Sequence, residues 1–167
     1  MKRILFDVEN EGTEKARQRG RDIATRFDIG AILPVKLAKI CHFCGISVTT
    51  RDSATIWGAL MWFQEKKIVQ ISQNIDRGWQ RFVLAHEIGH FTLHKKRLAF
   101  MTVEINALND DDIQAEAEAN AFAEELLLPA RAFIPLSRIA DTSVLAGYFG
   151  VSSDLVTHRA KTLNIER

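Results

Sequence analysis

Little in this 167-residue chain points outside an ordinary folded domain. It has only two cysteines, Cys41 and Cys44, too few for a disulfide framework. Its longest apolar run, Ile56 to Phe63, is far too short to span a bilayer. Asp7, Glu9 and Glu11 interrupt the only stretch resembling a secretory leader, so a cytoplasmic location is expected. Neither sign of charge dominates: 22 Lys and Arg face 21 Asp and Glu, a net +1. That balance gives no general attraction to nucleic acid or membranes. Repeats, low-complexity tracts and Gly/Ser linkers are absent, so residues 1–167 read as one domain.

What is present is core material and one local motif. Hydrophobic residues make up 47% and charged residues 26%, enough apolar mass for a single core. Residues 86–90 read His86-Glu87-Ile88-Gly89-His90, the H-E-x-x-H zinc-hydrolase signature. On a helix, positions i and i+4 share a face, so two imidazoles can grip one Zn2+. Glu87 projects about 100° round from His86, where it can reach a water at the metal but not easily the same coordination shell. Phe82-Val83-Leu84-Ala85 and Ile88, Phe91 and Leu93 make this helix apolar nearly all round. Such a helix is buried, and buried histidines and carboxylates need partners.

Coarse structure follows from periodicity and punctuation. Helices are expected from Glu14 to Phe27 and from Pro34 to Cys44, the second ended by Gly45. Arg17, Arg19 and Arg21 read as solvated charge. Three strands follow, Ile46 to Arg51, Thr55 to Gln64 and Lys67 to Ser72. The fold class is α+β, with a small antiparallel or mixed three-stranded sheet. The aromatic cluster Trp57, Met61, Trp62 and Phe63 reads as core, as do Cys41 and Cys44. Asn74 or Asp76 can cap the motif helix, which should reach Lys95 with Lys95-Lys96-Arg97 at its C-terminal end. Residues 1–12 read as a strand or tail, and 98–109 as a connection. A helix from Asp112 to Leu128 follows, then short helices over 130–167.

Catalytic zinc wants three protein ligands and an open position. The pattern with a third histidine six residues after the second is excluded, because residue 96 is Lys. The helix beginning near Asp112 offers Glu116, Glu118, Glu124 and Glu125 instead. With Ala115, Ala119, Phe122, Ala123 and Leu126 facing inward, Glu116 flanks that face closely and Glu118 is the alternative. Glu124 and Glu125 point outward on this wheel, as solvated surface. Asn120, one turn beyond Glu116, could orient a ligating histidine. His94, about 12 Å along the helix from His86, could support the site from behind or simply pack. His94, Tyr148 and His158 are candidate donors to an oxyanion.

Taken together, Ala85-His86-Glu87-Ile88-Gly89-His90, Leu93-His94, Glu116 to Ala123 and Leu126-Leu127-Leu128-Pro129 resemble the ImmA/IrrE family of zinc metallopeptidases. The likeness covers most of the chain, including Gly45-Ile46. Leu128 stands where the family usually has Met. The resemblance implies a minimal, gluzincin-like zincin with a small sheet, an active-site helix and a ligand helix. It implies His86, His90 and Glu116 as metal ligands and Glu87 as the catalytic base. It also implies a cytoplasmic protease or regulator whose partner is a helix-turn-helix repressor or a similar antitoxin-like regulator.

The C-terminal segment resembles a helix-turn-helix over Thr142 to Arg159. Leu145, Phe149 and Val151 would be its core and Ser152 its second cap. Arg159 occupies a position that is usually apolar. His158, Arg159 and Lys161 are a thin basic footprint, offset by Asp154, so direct DNA binding is disfavoured against a structural or protein-docking role. The expected function is a site-specific zinc endopeptidase. The alternatives are a metal-containing regulator that only binds its repressor, or a DNA-binding regulator.

Overall fold

The computed structural model describes residues 8–27, 33–94, 99–102 and 110–165, with only the backbone placed over 99–102. Along the chain come α1 (Glu11–Arg26), α2 (Leu37–Cys44), β1 (Ile46–Arg51), β2 (Ile56–Phe63), β3 (Lys66–Ser72), α3 (Arg77–Leu93), β4 (Ala99–Thr102), α4 (Asp110–Leu127), α5 (Ala130–Ser137), α6 (Thr142–Phe149) and α7 (Ser153–Thr162). This is the expected α+β class. The expectations for residues 1–7, Lys95-Lys96-Arg97 and most of the 98–109 connection lie outside the described residues.

Local chemistry sets the boundaries. α1 starts three residues earlier than the apolar pattern suggests because Asn10 caps it. The Asn10 side chain accepts from Thr13 N, and the Thr13 hydroxyl closes a capping box. Asp76, rather than Asn74, caps α3 by accepting from Trp79 N at 3.0 Å. Gly45 ends α2 in the left-handed region, at φ 65°, which a side chain would strain.

The sheet has the order β1-β3-β2-β4. β2 and β3 form the antiparallel hairpin, with Leu60 opposite Val69. β1 runs parallel to β3, with Val48 opposite Val69, so the sheet is mixed rather than a simple meander. The short β4 joins the far edge antiparallel to β2. Its four residues fell in the stretch that sequence patterning left as a connection. α3 lies across β2 and β3, α4 packs on α3, and α1 packs on α4. Phe82, Ile88, Leu60, Phe122 and Leu126 are fully buried between these layers. Burying each contributes roughly 1.5–3 kcal/mol.

Three expectations fail for one reason. Glu124 and Glu125 are only 2% and 3% exposed, Arg17 is 8% exposed, and Arg159 is wholly buried. α4 is not half-solvated; α1 and α7 close over the face opposite α3. Arg159 crosses into that layer, donating to Leu128 O at 3.0 Å, to Glu124 Oε2 at 3.1 Å and to Glu125 Oε2. Arg17 approaches Glu124 at 3.6 Å and pairs bidentately with Glu9. The charges are buried because they neutralise one another. The aromatic cluster is also split: Trp57 packs on Trp79, with centroids 5.3 Å apart, whereas Phe63 is exposed. Cys41 is buried and Cys44 half-buried.

The C-terminal helices α6 and α7 flank a tight turn at Gly150, and Ser152 caps α7 through Leu155 N. Leu145, Phe149, Val151, Leu155 and Val156 are buried in the seam, as in a helix-turn-helix. Arg159 faces the protein interior and is unavailable to a nucleic acid.

Candidate active site

Two helices build the site. α3 carries His86, Glu87 and His90, all essentially without solvent exposure, and α4 brings Glu116 against them. They meet because small residues line the crossing. A Cβ on Gly89 would sit 3.2 Å from Ala119 Cα and 3.1 Å from the Phe122 ring, so the helices approach almost backbone to backbone.

The three side chains converge through their tips. His86 Nε2 and His90 Nε2 are 2.9 Å apart. Glu116 spans them, Oε2 at 3.3 Å from His86 Nε2 and Oε1 at 3.1 Å from His90 Nε2. At most one hydrogen can lie between the two facing nitrogens, so at least one lone pair points into the centre. The His86 Nδ1 lies 2.8 Å from Asn120 Oδ1. An amide oxygen only accepts, so that contact places the proton on Nδ1 and leaves Nε2 as a lone pair. Facing lone pairs beside a buried carboxylate repel unless a cation or proton lies among them. Two imidazoles and a carboxylate are donors that suit a transition-type divalent ion. The donor set therefore fits a metal.

Electrostatics point the same way. Burial alone would raise the Glu116 carboxyl, but His86 and His90 outweigh it and hold the group well below the usual carboxylate range. Burial works against a charged His86, yet Glu116, with Glu87 and the Asn120 hydrogen bond, draws its pKa upward. His90 goes the other way, pushed down to about 4 chiefly by burial.

Glu87 lies on the same buried stretch, turned toward the sheet. A Cβ on Gly58 of β2 would come 2.6 Å from Glu87 Oε1 and 2.4 Å from Val83 Cγ1. The missing side chain at 58 thus makes room for the carboxylate. Sequence reasoning passed over Gly58, although a glycine inside a strand signals a close approach of this kind.

The remaining candidates are distributed. Glu118 Oε2 lies 3.0 Å from His94 Nε2 and is not among the converging atoms. His94 Nδ1 stands 2.9 Å from His90 Nδ1, behind the site. His158 Nε2 is 3.2 Å from Glu124 Oε1, in the buried charge cluster, about 12 Å along α4 from Glu116. Tyr148 is half exposed on α6, its ring edge against Phe149.

A profile of the IrrE N-terminal-like domain matches residues 43–161. The chain belongs to the ImmA/IrrE family. This is a metallopeptidase family, which implies a metal, and His86, His90 and Glu116 could bind one. The chain is 28% identical over 126 residues to Metallopeptidase ImmA of Bacillus subtilis (strain 168), covering 72% of each protein. It is 35% identical over 74 residues to Uncharacterized immunity region protein 2 of Bacillus phage phi105, covering 44% of this chain and 46% of that one. Among solved structures, a Mycobacterium tuberculosis transcriptional regulator superposes with a TM-score of 0.65 over 92% of this chain, at 21% identity. The chain spans about half of the phage and mycobacterial proteins, and the latter shares the fold. Among the described residues, no helix is long and apolar enough to cross a membrane.

Proposed function

We propose that this protein is a cytoplasmic zinc endopeptidase that cuts a regulatory protein of the helix-turn-helix repressor class. The observation that carries the reading is the convergence of buried His86, His90 and Glu116, with Glu87 on the next helical position. Family membership supports peptidase chemistry, and the likeness to an ImmA metallopeptidase and a phage immunity-region protein supports a repressor context.

In this reading His86, His90 and Glu116 hold Zn2+, assigned from nitrogen and oxygen donors. A bound ion would supply Lewis acidity to the peptide carbonyl and to the attacking water. Asn120 keeps the His86 Nδ1 protonated and so keeps Nε2 available. Glu87 accepts a proton from the attacking water and returns it to the leaving amine. The carboxylate occupies the space that a side chain at Gly58 would fill.

The test uses wild type and Glu87→Gln side by side. Metal content is measured by elemental analysis, and cleavage is assayed against the repressor encoded nearest to the gene. One zinc per chain in both, with cleavage by wild type only, is expected. Zinc in both and cleavage by neither would replace hydrolysis with metal-dependent repressor binding. Cleavage at wild-type rate by Glu87→Gln would remove Glu87 from the mechanism. A DNA-reading role has little support, because Arg159 lies inside the protein.

A further inference from the structure

The second ring nitrogen of His90 begins a chain of hydrogen bonds that ends on a different helix. Glu118 Oε2 faces His94 Nε2 at 3.0 Å. A carboxylate only accepts, so His94 carries its hydrogen on Nε2. Neutral His94 then has a lone pair on Nδ1, which faces His90 Nδ1 at 2.9 Å. His90 must donate there, which leaves its Nε2 as the lone pair aimed at Glu116 and His86. This is the tautomer a metal needs. The other oxygen of Glu118 accepts from Gln114 Nε2 at 2.7 Å. Gln114 in turn exchanges two hydrogen bonds with Asn10, at 2.8 and 3.2 Å. Asn10 is the residue that caps α1. Both oxygens of Glu118 are therefore engaged, one by each side of the relay. Burial would raise its carboxyl, but the bonds from Gln114 and His94 hold it below the ordinary value.

α1 is shaped to allow this. A Cβ on Gly12 would fall 2.3 Å from Glu118 Oε1 and 2.5 Å from Gln114 Nε2. With glycine there, the first turn of α1 passes over the two side chains without displacing their tips. Yet α1 lies wholly before the segment 43–161 that matches the family domain.

We propose that the relay Gln114–Glu118–His94, which meets Asn10 at the cap of α1, fixes the tautomer and ring orientation of His90. His94 and Glu118 are thus positioning residues rather than ligands. The inference rests on the reading of His86, His90 and Glu116 as a metal site, but not on peptide cleavage.

The test is Zn2+ affinity of the full chain, by competition with a chromophoric chelator, together with urea unfolding of the metal-free protein. His94→Phe and Glu118→Ala are expected to weaken Zn2+ binding by about 10–100-fold, the usual effect of losing a histidine's outer partner. Gln114→Ala should fall between wild type and Glu118→Ala. Glu118→Gln keeps an oxygen that accepts from His94 and should stay close to wild type. The urea midpoint of the metal-free variants should not follow this order. Wild-type affinity in His94→Phe and Glu118→Ala would overturn the proposal. So would affinity losses that track stability, with Glu118→Gln no better than Glu118→Ala. Wild type that binds no Zn2+ would overturn the metal reading as well, whereas tight binding without cleavage would leave this inference standing.

Discussion

Replacing Arg159 with leucine leaves two carboxylates in an apolar layer. The guanidinium is wholly buried and donates to Glu124, Glu125 and Leu128 O, and both glutamates are at most 3% exposed. Removing one partner from a buried ion pair costs about 3–5 kcal/mol, because the remaining charge stays desolvated. Neighbours compensate in part: Arg17 is 3.6 Å and His158 3.2 Å from Glu124, and Arg21 is 3.9 Å from Glu125. The lower end, about 3 kcal/mol, is therefore expected. With a urea dependence of about 2 kcal/mol/M, the unfolding midpoint should fall by about 1.5 M. Adding Glu124→Gln and Glu125→Gln should recover part of that loss, since no charge then remains stranded. A loss below about 0.5 kcal/mol, the value for an exposed position, would refute the burial of Arg159 between α4 and α7.

Other expectations follow from the same contacts. Gly58→Ala should cost about 1–3 kcal/mol by overpacking against Val83, and should depress cleavage beyond the loss of folded protein by displacing Glu87. Adding Val83→Ala should restore stability, by urea midpoint, more than it restores cleavage. Asn120→Ala should weaken Zn2+ binding by about 10–100-fold through His86, read by chelator competition. Burial pushes the Cys41 thiol up to about 11, so it stays protonated at pH 8. Iodoacetamide at that pH should label Cys41 only as fast as the protein unfolds, which mass spectrometry of urea-pulsed samples would read. Labelling of Cys41 in native protein at the rate of an exposed thiol would contradict its place in the core.

How much was legible depended on the range of each determinant. His86, Glu87 and His90 lie within five consecutive residues of one helix, so their relation is fixed by helical geometry. Strands β1 to β3 carried a local pattern of β-branched and aromatic residues. Glu124 and Glu125 were misread because burial on α4 depends on which helices cover it. The wheel showed one inward face; α1 and α7 supply a second, and neither is visible from residues 110–127. Arg159 was noticed as an anomaly in an apolar position, but its partners lie 34 and 35 residues away. β4 was missed because a four-residue edge strand has too few positions to show alternation. The relay through Gln114 was hidden because two of its links join residues far apart in sequence, Asn10 to Gln114 and Glu118 to His94.

The tight crossing at Gly89 and Ala119 bears on how the site acquires its ion. The close approach of α3 and α4 rests on the missing side chain at Gly89, which faces Ala119 and Phe122 within the interior. The donors are held on a frame whose rigidity comes from packing. Such a centre is preorganised: the entropy of gathering its donors is spent during folding rather than on capture. That separates it from small zinc modules whose chains collapse only around their ion. On the metal reading, exchange would then be a local event, in which an ion enters or leaves a scaffold that keeps its shape.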